Sequence, residues 1–235
     1  MSVTVSFIVP TIGRDTLVRS LGSILCQIHV GDEVLVCGDV SLVDRQALAV
    51  LGECLPVRHL PCPRSNRWGG PERRMGIARA SGHYLAFLDD DDIYLPHARA
   101  CMADAAVRTP GRPIIFRMQD AATGDIKWKD LAPEPCLTNG NVGSPMIFIP
   151  NIPAKLGYWT DRYCGDFQFL NSMAWSKYER RRNSLVFRPE IIAITRPAEA
   201  TIADAWRRHG YPEAADRDSR RDPPGGTEVA AGPAH

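Results

Sequence analysis

The chain has 235 residues, 44% of them hydrophobic and 23% charged, with a formal net charge of +1. This is an ordinary globular composition, long enough for a substantial core, and its near-neutral balance excludes a global electrostatic drive toward nucleic acid or anionic membrane. No apolar run approaches the roughly 20 residues of a membrane span, and the N-terminus lacks the basic flank of a signal peptide, so a cytoplasmic protein is expected. Cysteines stand at positions 26, 37, 54, 62, 101, 136 and 164. Their number is odd and no CxxC occurs, which predicts reduced, buried thiols.

In chain order, Val3 to Val9 is β-branched and apolar and predicts a strand, ended by Pro10-Thr11-Ile12-Gly13. Leu17, Val18, Leu21, Ile24, Leu25 and Ile28 then fall on one helical face, with Asp15 available as cap. A second buried strand, Glu33 to Cys37, closes on Gly38-Asp39, and a helix around Val43 to Leu51 and a strand around Val57 to Leu60 follow. Pro61 to Gly70 reads as a loop. Pro71 suits the first position of a helix that ends at Ser81-Gly82. Tyr84 to Leu88 reads as a buried strand, and a helix runs from near Pro96 to about Arg108. This alternation predicts a parallel α/β sheet. The second half is less regular: strands at Ile114 to Met118 and Met146 to Ile149, a helix from Asp166 to Tyr178, and late strands at Leu185 to Phe187 and Ile191 to Thr195 separated by Arg188-Pro189-Glu190. Residues 210–235 turn to Pro, Gly, Ala, Asp and Arg without apolar period and predict a disordered tail.

The run Asp89-Asp90-Asp91-Asp92 follows the apolar Tyr84–Leu88 segment. Four adjacent carboxylates repel one another, and a divalent cation such as Mg²⁺ or Mn²⁺, which takes carboxylate and phosphate oxygens, is the usual reason to keep them together. Open α/β sheets bind ligands at the carboxyl ends of their strands, where this run would sit. The alternative is an acidic turn capping the next helix, for which one Asp suffices.

With Val5-Ser6-Phe7-Ile8-Val9-Pro10-Thr11, Glu33-Val34-Leu35-Val36-Cys37-Gly38-Asp39, Arg73-Arg74-Met75-Gly76-Ile77-Ala78 and Phe87-Leu88-Asp89-Asp90-Asp91-Asp92 in this order, the chain resembles the family 2 glycosyltransferases with the GT-A fold. The resemblance implies an α/β, Rossmann-like single domain with a mostly parallel central sheet flanked by helices. Residues 1–105 would be its nucleotide-sugar-binding half and residues 106–209 its acceptor-binding half. By matching position, Pro10, Thr11 and Asp39 would hold the nucleoside. The family has two adjacent Asp there, whereas this chain has Gly38-Asp39. Arg14 and Arg73 would meet the base or diphosphate, with a solvated salt bridge as the alternative for each. The acidic run would be the Asp-x-Asp signature: Asp91 as principal ligand of Mn²⁺ or Mg²⁺, Asp89 on the metal or the ribose, Asp90 beside the nucleotide sugar, and Asp92 adding a supporting hydrogen bond. Four consecutive Asp admit two Asp-x-Asp frames.

The implied reaction moves a sugar from a nucleoside-diphosphate sugar, most often a UDP-sugar in this family, to a hydroxyl acceptor with inversion. A carboxylate within hydrogen-bond reach of that hydroxyl serves as general base. Asp166, in Gly165-Asp166-Phe167-Gln168-Phe169, matches the family's position, although Gly165 replaces the first acid of its Glu-Asp pair. A helix N-cap is the competing role, and Asp161 is the reserve base. Competing functions are a nucleotidyltransferase of similar sheet, against which Gly13-Arg14 is only a fragment of the expected loop, and a catalytically inactive nucleotide- or glycan-binding module. The Gly140–Pro145 stretch could line the acceptor site, Trp68, Trp159 and Trp175 could stack on sugar, Arg180-Arg181-Arg182 could grip an anionic acceptor such as nucleic acid, and His83 and His97 could join the metal shell.

Overall fold

A computed structural model of the chain describes residues 3–128, 137–176 and 185–198. Strand β1 (Val5–Thr11) is buried along its whole length, as a strand covered on both faces must be, and this explains why its sequence is mostly apolar rather than alternating, with the buried Ser6 and Thr11 hydrogen-bonded to Glu33 and Asp90. Helix α1 (Leu17–Leu25) returns across it and buries Leu17, Leu21 and Ile24. Asp15 does not cap this helix. It is exposed, and the residue at the cap position, Thr16, makes no side-chain cap bond. Strand β2 (Glu33–Gly38), helix α2 (Leu42–Cys54), strand β3 (Val57–Pro61), helix α3 (Gly70–Arg79) and strand β4 (Tyr84–Phe87) follow. Ser41 caps α2 by accepting from the Asp44 amide, and Pro71 stands in the first turn of α3, where its missing N–H costs nothing.

Beyond β4 come β5 (Ile93–Tyr94), α4 (Ala98–Arg108), β6 (Ile114–Asp120), β7 (Ile126–Lys127), a 3-10 turn (Ser144–Met146), β8 (Ile147–Pro150), α5 (Gly165–Ser176) and β9 (Val186–Thr195). The sheet order is β3-β2-β1-β4-β8-β6-β9-β5, with β7 paired to β6. Strands β3, β2, β1 and β4 run parallel to one another. β8 runs antiparallel to β4 and β6, and β6 is parallel to β9. The two expected late strands are one. Its pairing with β6 jumps from Phe187↔Ile115 to Ile191↔Arg117, so Arg188-Pro189-Glu190 forms a bulge, the place in a sheet that tolerates a proline without an N–H.

The parallel strands bring Thr11, Gly38 and Phe87 to one edge of the sheet, with Thr11 opposite Gly38 and Ile8 opposite Phe87. An aromatic cluster of Phe87, Trp159 and Phe169, with ring centroids 4.8–5.9 Å apart, fixes α5 against that edge. His83 lies at the opposite end of β4, where its Nδ1 meets Thr4 Oγ1 at 2.8 Å, and the His97 Nε2 lies 2.9 Å from the Ile191 carbonyl. His83 is thus at the wrong end of the sheet to join the acidic run. Of the six described cysteines, all free thiols, only Cys37 is buried and Cys26 and Cys54 are exposed. The expectation of buried thiols therefore holds only for Cys37, whose pKa burial pushes up to about 12. No helix among the described residues is long and apolar enough to cross a membrane. The predicted tail and the Arg180–Arg182 run lie outside the described residues, as does the side chain of Trp175.

Candidate active site

The loop after β4 gives the four acids different partners. Asp90 turns toward β1 and is buried. Its carboxylate accepts from Thr11 Oγ1 at 2.8 Å, from the Ile12 amide at 3.2 Å and from Arg14 Nη1 at 2.8 Å. The carboxylates of Asp89, Asp91 and Asp92 each bring an oxygen within 4.8 Å of the others, and the same Arg14 Nη1 also reaches Asp91. Asp92 is buried, accepts from the Arg196 amide at 3.0 Å, and has its pKa pushed well above the carboxylate range by burial, with Asp89 and Asp91 adding to the rise. Burial likewise raises Asp91, opposed by Arg14, whose Nη1 reaches it at 2.7 Å.

Arg73 faces this cluster from α3. Its guanidinium is buried, pairs with Asp89, donates from Nη1 to the Trp68 carbonyl at 2.8 Å and from Nη2 to Ser144 Oγ at 3.0 Å, and lies over the Trp159 ring at 4.7 Å. Gly69 makes this possible. It is left-handed at φ +72°, and a Cβ there would sit 2.4 Å from Arg73 Nη1. The Gly140–Pro145 stretch borders the site through Ser144.

Asp39 is exposed just beyond β2, and a side chain on Gly13 would meet its carbonyl at 3.2 Å, so the loops after β1 and β2 touch. The departure at Gly38 has a steric cause. Gly38 has φ +149°, and a Cβ there would lie 1.9 Å from the Thr11 carbonyl oxygen, so this strand pairing leaves no room for a second Asp.

Asp166 opens α5, half-buried, with its Oδ1 accepting from the Phe167 amide at 2.7 Å. Burial raises its pKa against that hydrogen bond, and the charges of Arg73 and Asp89 both act on it. Asp161 is the opposite case: Arg74 at 2.6 Å and Arg67 at 2.9 Å hold its carboxyl below the usual range. Of the tryptophans, Trp159 is buried beneath Arg73 and Trp68 is exposed. Sequence reasoning missed Ser144 as the partner of Arg73, and Arg196 as the residue that holds Asp92. The second was within reach, because Arg196 follows the apolar Ile191–Thr195 run and so had to emerge at a strand end.

The model of the Glycosyl transferase family 2 matches residues 6–133, more than half of the chain, and the chain belongs to that family. An uncharacterized glycosyltransferase of Nostoc sp. is 34% identical over 82 residues, which cover 34% of this chain and 26% of that protein. The succinoglycan biosynthesis protein ExoO of Rhizobium meliloti is 37% identical over 92 residues, 39% of this chain and 26% of that protein. The aligned stretches thus span about a quarter of either relative. Among solved structures, residues 1–349 of S. aureus TarS superpose with a TM-score of 0.63 at 17% identity, covering 82% of this chain and 60% of that one. The same fragment in complex with UDP-GlcNAc gives 0.62 at 18% identity, covering 83% and 59%. These likenesses agree with the GT-A fold.

Proposed function

We propose that this chain transfers a sugar from a UDP-sugar to an acceptor hydroxyl with inversion at the anomeric carbon. The observation that carries the reading is the meeting, at the carboxyl edge of the parallel strands, of a carboxylate triad, a buried arginine and a half-buried Asp166. The TarS fragment of similar fold was crystallised with UDP-GlcNAc, which supports a donor of that class.

Asp89, Asp91 and Asp92 suit a hard divalent ion, Mn²⁺ or Mg²⁺: all their donors are carboxylate oxygens, gathered within 4.8 Å of one another. Such an ion, when bound, supplies Lewis-acid stabilisation of the diphosphate leaving group. Asp89 and Asp91 are the signature pair in this frame, because Asp90 is already occupied by β1 and acts on the donor by holding Thr11 and Arg14. Pro10, Thr11 and Asp39 cradle the nucleoside, where an exposed carboxylate accepts from base N–H or ribose hydroxyl. Arg14 and Arg73 offer charge-assisted bonds to the diphosphate.

Asp166 takes the proton of the acceptor hydroxyl as that oxygen attacks the anomeric carbon and the bond to diphosphate breaks. A raised pKa makes Asp166 a better base than an ordinary carboxylate. Asp161, paired to two arginines, is a poor one. The test is UDP release from UDP-GlcNAc, UDP-glucose and UDP-galactose with Mn²⁺ and simple saccharide acceptors. Turnover that falls about 10²-fold or more in Asp166→Asn and hardly changes in Asp161→Asn supports the assignment. Equal losses in both variants overturn it.

A further inference from the structure

Two large aromatic side chains beside this site are left in solvent. Trp68 is 64% exposed and Tyr163 is 80% exposed. Their rings meet edge to face, centroids 5.0 Å apart and planes at 77°, so together they form an open corner. The corner is braced from below. Arg67 of the first loop pairs with Asp161 of the second at 2.9 Å, and Arg74 donates to the Asp161 carboxylate and the Trp159 carbonyl, both at 2.6 Å. Asn66, Trp68 and Gly69 all have positive φ, at 49°, 54° and 72°, a conformation that side-chain-bearing residues adopt rarely. This backbone turns the Trp68 carbonyl to Arg73 and leaves the indole in water.

The position of the corner is equally specific. The Trp68 carbonyl accepts from Arg73, which pairs with Asp89, and Tyr163 precedes Asp166 by three residues. The corner is therefore tied on one side to the donor-side cluster and stands on the other on the loop that leads into the base. The flat faces of indole and phenol match the C–H face of a pyranose ring, whose hydroxyls point outward in its plane. The rim supplies donors and acceptors for those hydroxyls in Arg67, Asp161 and the Tyr163 phenol. Arg67 and Arg74 share the one Asp161 carboxylate, and exposed Arg64 and Arg162 flank the two rings, so the corner carries net positive charge around its aromatic faces.

We propose that Trp68 and Tyr163 form an acceptor subsite and that the acceptor hydroxyl is carried by a sugar ring. The proposal rests on the glycosyltransferase reading above and names its acceptor class. The test uses the intact chain with ¹⁵N-labelled tryptophan, the Trp68 indole signal being assigned by its loss in Trp68→Phe. Methyl β-glucoside, methyl β-galactoside, cellotriose and chitotriose are titrated in the presence of the diamagnetic Mg²⁺. A saturable shift of the Trp68 signal with at least one saccharide is expected. Its affinity should fall about tenfold in Tyr163→Ala and recover in Tyr163→Phe. No shift with any saccharide overturns the proposal, as does a shift unaltered in Tyr163→Ala, or a response confined to peptide or to phospholipid vesicles. Should Tyr163→Ala fail to fold by circular dichroism, the saccharide response of the intact chain still decides. UDP titrated into the same sample separates the two claims: absence of any UDP response counts against the donor site, whereas a UDP response without a saccharide response counts against the aromatic subsite alone.

Discussion

Arg73→Ala is the substitution whose cost the structure specifies best. It removes a buried guanidinium that joins Asp89, the Trp68 carbonyl, Ser144 and the Trp159 face. Breaking a buried ion pair from one side costs about 3–5 kcal/mol. The Asp89 side chain is 36% exposed, so water takes over part of its solvation and the ion-pair loss falls to about 2 kcal/mol. Loss of the cation–π contact adds about 1 kcal/mol. The sum, about 3 kcal/mol, corresponds to a drop in Tm of about 6–12 °C for a domain of this size. Arg73→Lys keeps the charge without the planar fork and should recover about half of it. Differential scanning fluorimetry on purified variants measures both. A drop of less than about 2 °C for Arg73→Ala, or a lysine variant no better than alanine, would refute the reasoning that this guanidinium ties the loop before α3 to the acidic turn.

Two further expectations follow from the same geometry. Gly38→Ala places a methyl against the Thr11 carbonyl in a backbone conformation that favours glycine; it should cost about 3 kcal/mol or more, read as a Tm loss with the β1–β2 edge exchanging amide hydrogens faster. Asp166 carries a pH signature. Its folded pKa is raised, chiefly by burial, so the fold favours the protonated acid, and this contribution to stability is lost as pH rises through the folded value. Asp166→Asn should therefore raise Tm at pH 7 and give no gain below about pH 4, where the carboxyl is protonated in both states. The transfer rate of the unmodified chain should fall on acidification at a pH above the ordinary carboxylate range. A rate that stays flat down to pH 4 would remove Asp166 from the role of base.

The first half of the fold was legible because its code is local. The central parallel strands are predominantly apolar runs, and the helices show an apolar face or a proline at the start. The acidic turn was visible for the same reason, since Asp89–Asp92 directly follows β4. What the sequence could not show is which partners each of the four identical residues takes: only the pairing of β4 with β1 brings Asp90 to Thr11, while Asp89, Asp91 and Asp92 gather together. The second half depends on long-range pairing. Val186–Thr195 reads as two strands because Pro189 interrupts it, and becomes one only when β6 supplies a partner on both sides of the bulge. Gly38 showed as a departure from the family pattern, but its cause, a carbonyl on the neighbouring strand, lies 27 residues away in sequence. The exposure of Trp68 was equally hidden, because an indole on an irregular loop has no periodicity to reveal which way it points.

The central claim is a donor site for a nucleoside diphosphate that depends on the acidic triad. The most direct measurement is calorimetric titration of UDP into the intact chain with Mn²⁺, with Mg²⁺ and with chelator, repeated on Asp91→Ala. The account predicts saturable binding that requires the divalent ion and is lost in Asp91→Ala while the fold survives. Absence of binding under every condition, with GDP and dTDP behaving like UDP, would contradict it, and Asp89–Asp92 would then be a structural turn closed by Arg14 and Arg73.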